Sequence, residues 1–189
     1  CIIYTNFLAP LNSPSFHVMN LINLISKAID HAIKVIGTAV SWLTLIMTVI
    51  TFLIVILRYV FNIGSIWMQE SLVWMHSAIF LLGAAYTLKL DEHVRVDIFY
   101  RSFSPKQKSW VNIIGAIFFA LPVCIFLLIV TGDFVSSSWF VKEISRDAGG
   151  LLYPAIPLLK SMLLIMPLLI IFQIISILCK EFTKIREGS

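Results

Sequence analysis

The side chains that could carry chemistry are few. Histidine, the usual proton carrier near neutral pH and a common metal ligand, occurs at His17, His31, His76 and His93. Only His76 falls inside a long apolar run, and the other three lie towards the opposite end of those runs. A haem asks for two facing axial ligands, so His76 lacks a second ligand and reads as a hydrogen-bonded packing or interfacial residue. Arg58 closes the first apolar run and Glu70 opens the second, with residues 59–69 between them. The two could meet as a surface ion pair, or each could touch another subunit. No Ser/His/Asp set, paired-cysteine metal site or phosphate-cradling glycine loop is visible. The sequence thus offers no active site, and the expectation is a non-enzyme with no catalytic residue, no metal and no cofactor. Cys1, Cys124 and Cys179 argue no chemistry and read as small apolar packing residues.

Two polar links remain as recognition candidates. One reads Asp91-Glu92-His93-Val94-Arg95-Val96-Asp97, alternating in charge, and either pairs with itself in a short turning segment or docks a partner. The other reads Glu143-Ile144-Ser145-Arg146-Asp147-Ala148-Gly149-Gly150-Leu151, followed by Tyr153-Pro154 and Pro157. Adjacent glycines admit positive φ and the prolines stop a helix, so this link is expected to be an ordered turn, a plain connector or a recognition surface.

The elements that position these links are dictated by composition. Residues of the AVILMFWYC set make up 59% of the 189 positions and charged residues 13%, a balance that calls for lipid as the main solvent. Stretches free of Asp, Glu, Lys and Arg run over residues 35–57, 71–88, 109–132 and 161–179. At about 1.5 Å per helical residue, even the shortest covers roughly 27 Å, close to the roughly 30 Å hydrocarbon layer. Strands would alternate, and these runs do not. The fold class is therefore an all-α integral membrane protein with four transmembrane helices over approximately 35–60, 70–89, 109–134 and 159–179, in one domain covering 1–189. Ahead of the first span, Leu21, Leu24, Ile25, Ala28, Ala32 and Val35 recur at helical spacing opposite Asn20, Asn23, Lys27, Asp30 and Lys34. This makes residues 18–34 an N-terminal amphipathic interfacial helix, lying in the headgroup region or gripping a partner subunit. No cleaved leader is expected, since no basic segment with a short apolar core opens the chain.

Four spans put both termini on one side, and the cations sort unevenly. Ten lie at that side (Lys27, Lys34, Lys89, Arg95, Arg101, Lys106, Lys108, Lys180, Lys184, Arg186) and four at the other (Arg58, Lys142, Arg146, Lys160). The positive-inside rule then predicts cytoplasmic termini, with anionic lipid headgroups rather than nucleic acid answering the net charge of +4. Trp67, Trp74, Trp110 and Trp139 fall where an aromatic belt would anchor the spans. Pro122 and Pro167 predict kinks in spans 3 and 4.

The motifs resemble the small membrane subunit, Q-type or DctQ-like, of tripartite ATP-independent periplasmic (TRAP) transporters. The likeness covers most of the chain: Arg58-Tyr59-Val60-Phe61-Asn62, then Trp67 and Glu70, Gly83-Ala84-Ala85-Tyr86, His93-Val94-Arg95-Val96-Asp97, and Glu143-x-Ser145 followed by Gly149-Gly150-Leu151. Ser71 departs from it, standing where many members carry a second acidic residue. The resemblance implies a bacterial inner-membrane transport subunit that scaffolds a large, elevator-type permease subunit in sodium-driven uptake of an organic acid, together with a periplasmic substrate-binding protein. It also makes Arg58, Trp67, Glu70, His93, Arg95, Asp97, Glu143, Arg146, Gly149 and Gly150 candidates for subunit contact or orientation. The competing reading from the residues is a four-helix membrane anchor or cytochrome-like redox subunit.

Overall fold

The computed structural model describes residues 14–90 and 102–187. Four helices form, each long and apolar enough to cross a membrane, and no strand occurs among the described residues. They are α1 (Pro14–Tyr59), α2 (Ile66–Lys89), α3 (Pro105–Phe140) and α4 (Ala155–Glu187).

The stretch expected as an N-terminal amphipathic interfacial helix, residues 18–34, is continuous with the first span. α1 runs unbroken for 46 residues, about 69 Å at helical rise, because no proline or glycine pair interrupts the apolar periodicity between the two. It stops at a turn where Asn62 takes a positive φ of 55° and the Ile63 amide reaches back to the Leu57 carbonyl. Asn tolerates this left-handed conformation better than any side chain near it.

α3 begins at a capping box, in which Ser104 and Gln107 exchange hydrogen bonds and Pro105 opens the first turn. Its path contains a π-helical turn over Ala116–Ala120, directly ahead of Pro122. Proline lacks the amide that would bond to residue 118, and the wider turn takes up that mismatch. Pro167 sits inside α4 without interrupting it.

α4 is the central element and packs against α1, α2 and α3. α1 and α2 pair along one another, whereas α3 packs along α4 without extended contact to α1 or α2. The result is an open array rather than a closed bundle. Its buried contacts use mostly small or flexible residues, including Ala78 and Ala85 on α2, Met162 on α4 and Cys124 on α3, with the larger Ile174 of α4 among them. Close approach of α1 to α2 depends on Gly37, where any Cβ would overlap the root of the Tyr86 side chain. Large apolar residues such as Phe80, Phe118 and Phe126 remain exposed on the outer faces, as a lipid-embedded surface allows.

Candidate functional site

The polar groups gather in two tiers, one at each end of the array. At the turn end, between α1 and α2 and between α3 and α4, the organising residue is Glu70 in the first turns of α2. Its carboxylate accepts the Ser145 hydroxyl on one oxygen and the Leu151 amide, at 2.6 Å, on the other. The 143–151 link is thereby folded onto α2 across about 80 residues of sequence. The link closes on itself as well: the Ser145 amide donates to the Leu151 carbonyl (3.2 Å), Gly150 to Asp147 (3.0 Å), and Asp147 to the Ser145 hydroxyl (3.1 Å). Gly149 supplies a positive φ of 84°. Gly150 lies so close that a Cβ there would stand 2.7 Å from Glu70 Oε1. The Glu-x-Ser and Gly-Gly-Leu elements are therefore two halves of one carboxylate-binding turn, the ordered turn expected here.

Glu143 makes the second anchor. Its carboxylate accepts from Lys160 on α4 and from the Ser138 hydroxyl, the latter at 2.7 Å. Lys160 and then Ser138 hold this carboxyl below its ordinary range, with Arg146 adding a weaker charge effect. Lys160 also stands 4.1 Å over the Phe134 ring. Trp139 donates to Ser161 (2.8 Å) and meets Tyr153 edge to face at 6.2 Å, while Trp74 donates to the Ala155 carbonyl at 3.2 Å. These two indoles knit the turn end together as well as standing at its edge.

The expected Arg58–Glu70 pair does not form. Both carboxylate oxygens of Glu70 are engaged by the 143–151 link, and Arg58 has no ion-pair partner among the described residues. Arg58 instead lines a recess with Ser65 and Gln69, into which the buried Ser65 hydroxyl brings an oxygen without a hydrogen-bond partner. Trp67 and Arg146 are exposed.

The tier at the opposite end was not expected from the sequence. Asp30 on α1 accepts from Lys180, from Ser176 Oγ at 2.7 Å and from Gln173 Nε2 at 3.3 Å, all on α4. Its backbone carbonyl accepts Lys89 Nζ from the end of α2 at 2.7 Å, so three helices meet at one residue. One turn away, the Ser26 and Ser176 hydroxyls lie 2.8 Å apart. Glu181, 6% exposed, ties α3 to α4 by accepting from Asn112 (3.4 Å) and Lys184 (2.8 Å). The readable signal was the spacing of Gln173, Ser176 and Lys180 on one face of the last span, opposite Ser26 and Asp30. His93, Arg95 and Asp97, with the rest of the 91–101 link, lie outside the described residues.

Between the tiers the helices are apolar apart from hydroxyls and His76. Ser41, Thr48, Thr51, Ser77 and Thr131 each return their hydroxyl to a carbonyl four residues back, an arrangement that satisfies them without water. His76 is exposed and makes no hydrogen bond among the described residues, which speaks against the hydrogen-bonded packing role and leaves the interfacial one of the two expected for it. Among those residues no group of three or more His, Cys, Asp or Glu converges to hold a metal.

An all-helical, multi-pass array of this kind, with its polar ties confined to the two ends, is a membrane-embedded protein. The chain belongs to the family described as the DctQ component of tripartite ATP-independent periplasmic transporters, which it matches over residues 47–184. It is 34% identical over 83 residues to the C4-dicarboxylate TRAP transporter small permease protein DctQ of Vibrio cholerae, an alignment covering 44% of this chain and 35% of that protein. The aligned part is thus about a third of the curated relative's length. No solved structure matches the chain.

Proposed function

We propose that this chain is the fixed scaffold of a TRAP-type secondary transporter in the bacterial inner membrane. It holds a large, elevator-type permease subunit at constant depth during sodium-driven uptake of an organic acid delivered by a periplasmic binding protein. The observation that carries this reading is the division of the molecule into two polar tiers and an apolar middle. Residues 35–57, 71–88, 109–132 and 161–179 contain no Asp, Glu, Lys or Arg, and coupling of a solute to an ion calls for groups at mid-depth that bind and release charge. An array tied at both ends resists vertical slippage, which is what a wall beside a moving domain must do.

In this reading both termini are cytoplasmic, in keeping with ten cations on the terminal side against four on the other. The Asp30 tier then lies at the cytoplasmic face. The Glu70 and Glu143 turns lie at the periplasmic face, where a binding protein would approach, and Arg146 and Trp67 are open to such contact. Reconstitution tests the assignment. Liposomes holding this chain with its large subunit and binding protein should accumulate solute on a sodium gradient, and liposomes holding the chain alone should not. Accumulation by the chain alone would refute the scaffold role.

A further inference from the structure

The outer faces of the array differ in one respect that bears on what covers them. From Trp110 to Val130, every exposed residue of α3 is apolar, and the same holds for α4 between Leu158 and Ile175. The hairpin of α1 and α2 is different. On the outward face of α2, Gln69, Val73, His76, Phe80 and Thr87 are all exposed and repeat at spacings of four, three, four and seven, one continuous stripe on a helix. His76 lies on that stripe about 9 Å below Glu70 and about 20 Å from Lys89 along the helix axis, counted at 1.5 Å per residue. An imidazole cannot snorkel over such a distance, so in lipid its nitrogens would face hydrocarbon without a partner.

The stripe also continues to the rim. Gln69 shares with Arg58 and Ser65 the recess between the end of α1 and the start of α2. Arg58 lacks a counter-ion among the described residues and the buried Ser65 hydroxyl lacks a hydrogen-bond partner. Among the described residues, Arg58, Gln69 and His76 are thus exposed polar side chains without a partner, with the buried Ser65 hydroxyl behind them, whereas every exposed residue of α3 over its apolar length is apolar.

Resting on the scaffold reading, we propose that the α1–α2 hairpin docks a transmembrane helix of the large permease subunit along the line from Arg58 through Gln69 to His76, and that α3 faces lipid. The complementary helix carries a hydrogen-bonding group level with His76 and an acidic group at the rim opposite Arg58. Lipid tails supply neither, and a second copy of this chain would set Arg58 and His76 against polar groups of the same kind.

The test uses the intact complex of both membrane subunits. A photoreactive phenylalanine analogue is placed at position 73 or 80 on the α2 stripe, and at 117 or 126 on α3. Light should cross-link the first pair to the large subunit and the second pair only to lipid. In parallel, His76→Leu should weaken association of the two subunits about 3- to 20-fold, the range for hydrogen bonds between membrane helices. His76→Gln should restore it to within about twofold, a rescue that a role in bulk packing would not give. Cross-links to the large subunit from 117 or 126 but not from 73 or 80 overturn the proposal. So does a cross-linked dimer of this chain through 73 or 80, or lipid adducts alone from those positions. Should the unsubstituted subunits fail to associate at all, the scaffold reading falls first and this inference with it.

Discussion

Replacing Gly37 gives the sharpest quantitative test of how α1 meets α2. An Ala Cβ at this position would lie 2.6 Å from Tyr86 Cβ and 2.8 Å from Tyr86 Cδ1, against a contact optimum near 3.5–4.0 Å. The conflict is with the root of the Tyr86 side chain and not its tip, so rotating the ring does not relieve it. Either the two helix axes separate by roughly 1 Å or the ring leaves its site. Overpacking of this kind costs about 1–3 kcal/mol, and the upper part of that range applies where the backbone must move. Alanine recovers about 1 kcal/mol of helix propensity, which leaves Gly37→Ala destabilised by about 2 kcal/mol. In a thermal unfolding scan of the purified protein in detergent, that corresponds to a midpoint lower by roughly 4–8 °C. The decisive arm is the Tyr86→Ala background. There the obstruction is gone, only the propensity gain remains, and the same glycine replacement should raise the midpoint. If Gly37→Ala is neutral in the unsubstituted protein, or equally damaging in both backgrounds, the close α1–α2 approach is not what Gly37 provides.

Three further outcomes follow from the two tiers. Glu70→Gln keeps the shape of the side chain but weakens an acceptor held by Ser145 and Leu151, so hydrogen exchange at the Leu151 amide should speed up about tenfold, and an unchanged rate would remove Glu70 as the clamp. Asp30→Ala leaves Lys180, Ser176 and Gln173 without their shared acceptor; the cost should be roughly 2–3 kcal/mol in chemical unfolding, with partial recovery when Asp30→Lys is combined with Lys180→Asp. The Glu143 carboxyl is held below its ordinary value of 4.5 by Lys160 and Ser138, so its stabilising contribution is complete above pH 4.5 and is lost as pH falls through the lower folded value. Trp139 fluorescence should therefore stay flat down to about pH 5 and change below it, and Lys160→Met should move that change to higher pH.

The four spans were legible because nothing but lipid can solvate such long uncharged runs, and the Glu-x-Ser to Gly-Gly-Leu link was legible as a turn through its glycines and prolines. What joins these parts was harder to read. Arg58 and Glu70 sit at neighbouring ends of a short link and invite pairing, but a carboxylate goes to whichever donors are aimed at it, and those of Ser145 and Leu151 arrive from far along the chain. Asp30 looked like one more charge on the polar side of an amphipathic arm. Its partners Gln173 and Ser176 are uncharged residues inside an apolar run, where a hydropathy pattern gives them no weight. The open arrangement around α4 was also hidden, since apolar spans of this kind suit a closed bundle as readily as an open array. The continuity of α1 had a sequence signal, the absence of any proline or glycine pair between arm and span, but the packing of the arm on α4 through Ser26 and Asp30 had none of comparable strength.

That continuity makes α1 a single piece. A rod of 46 residues, held to α4 part-way along by Ser26 and Asp30 and stopped at its far end by the Asn62 turn, has no joint at which the stretch before those ties could bend independently of the membrane segment beyond them. Whatever takes hold of that stretch therefore holds a helix that reaches the opposite face of the bilayer, with no loop in between.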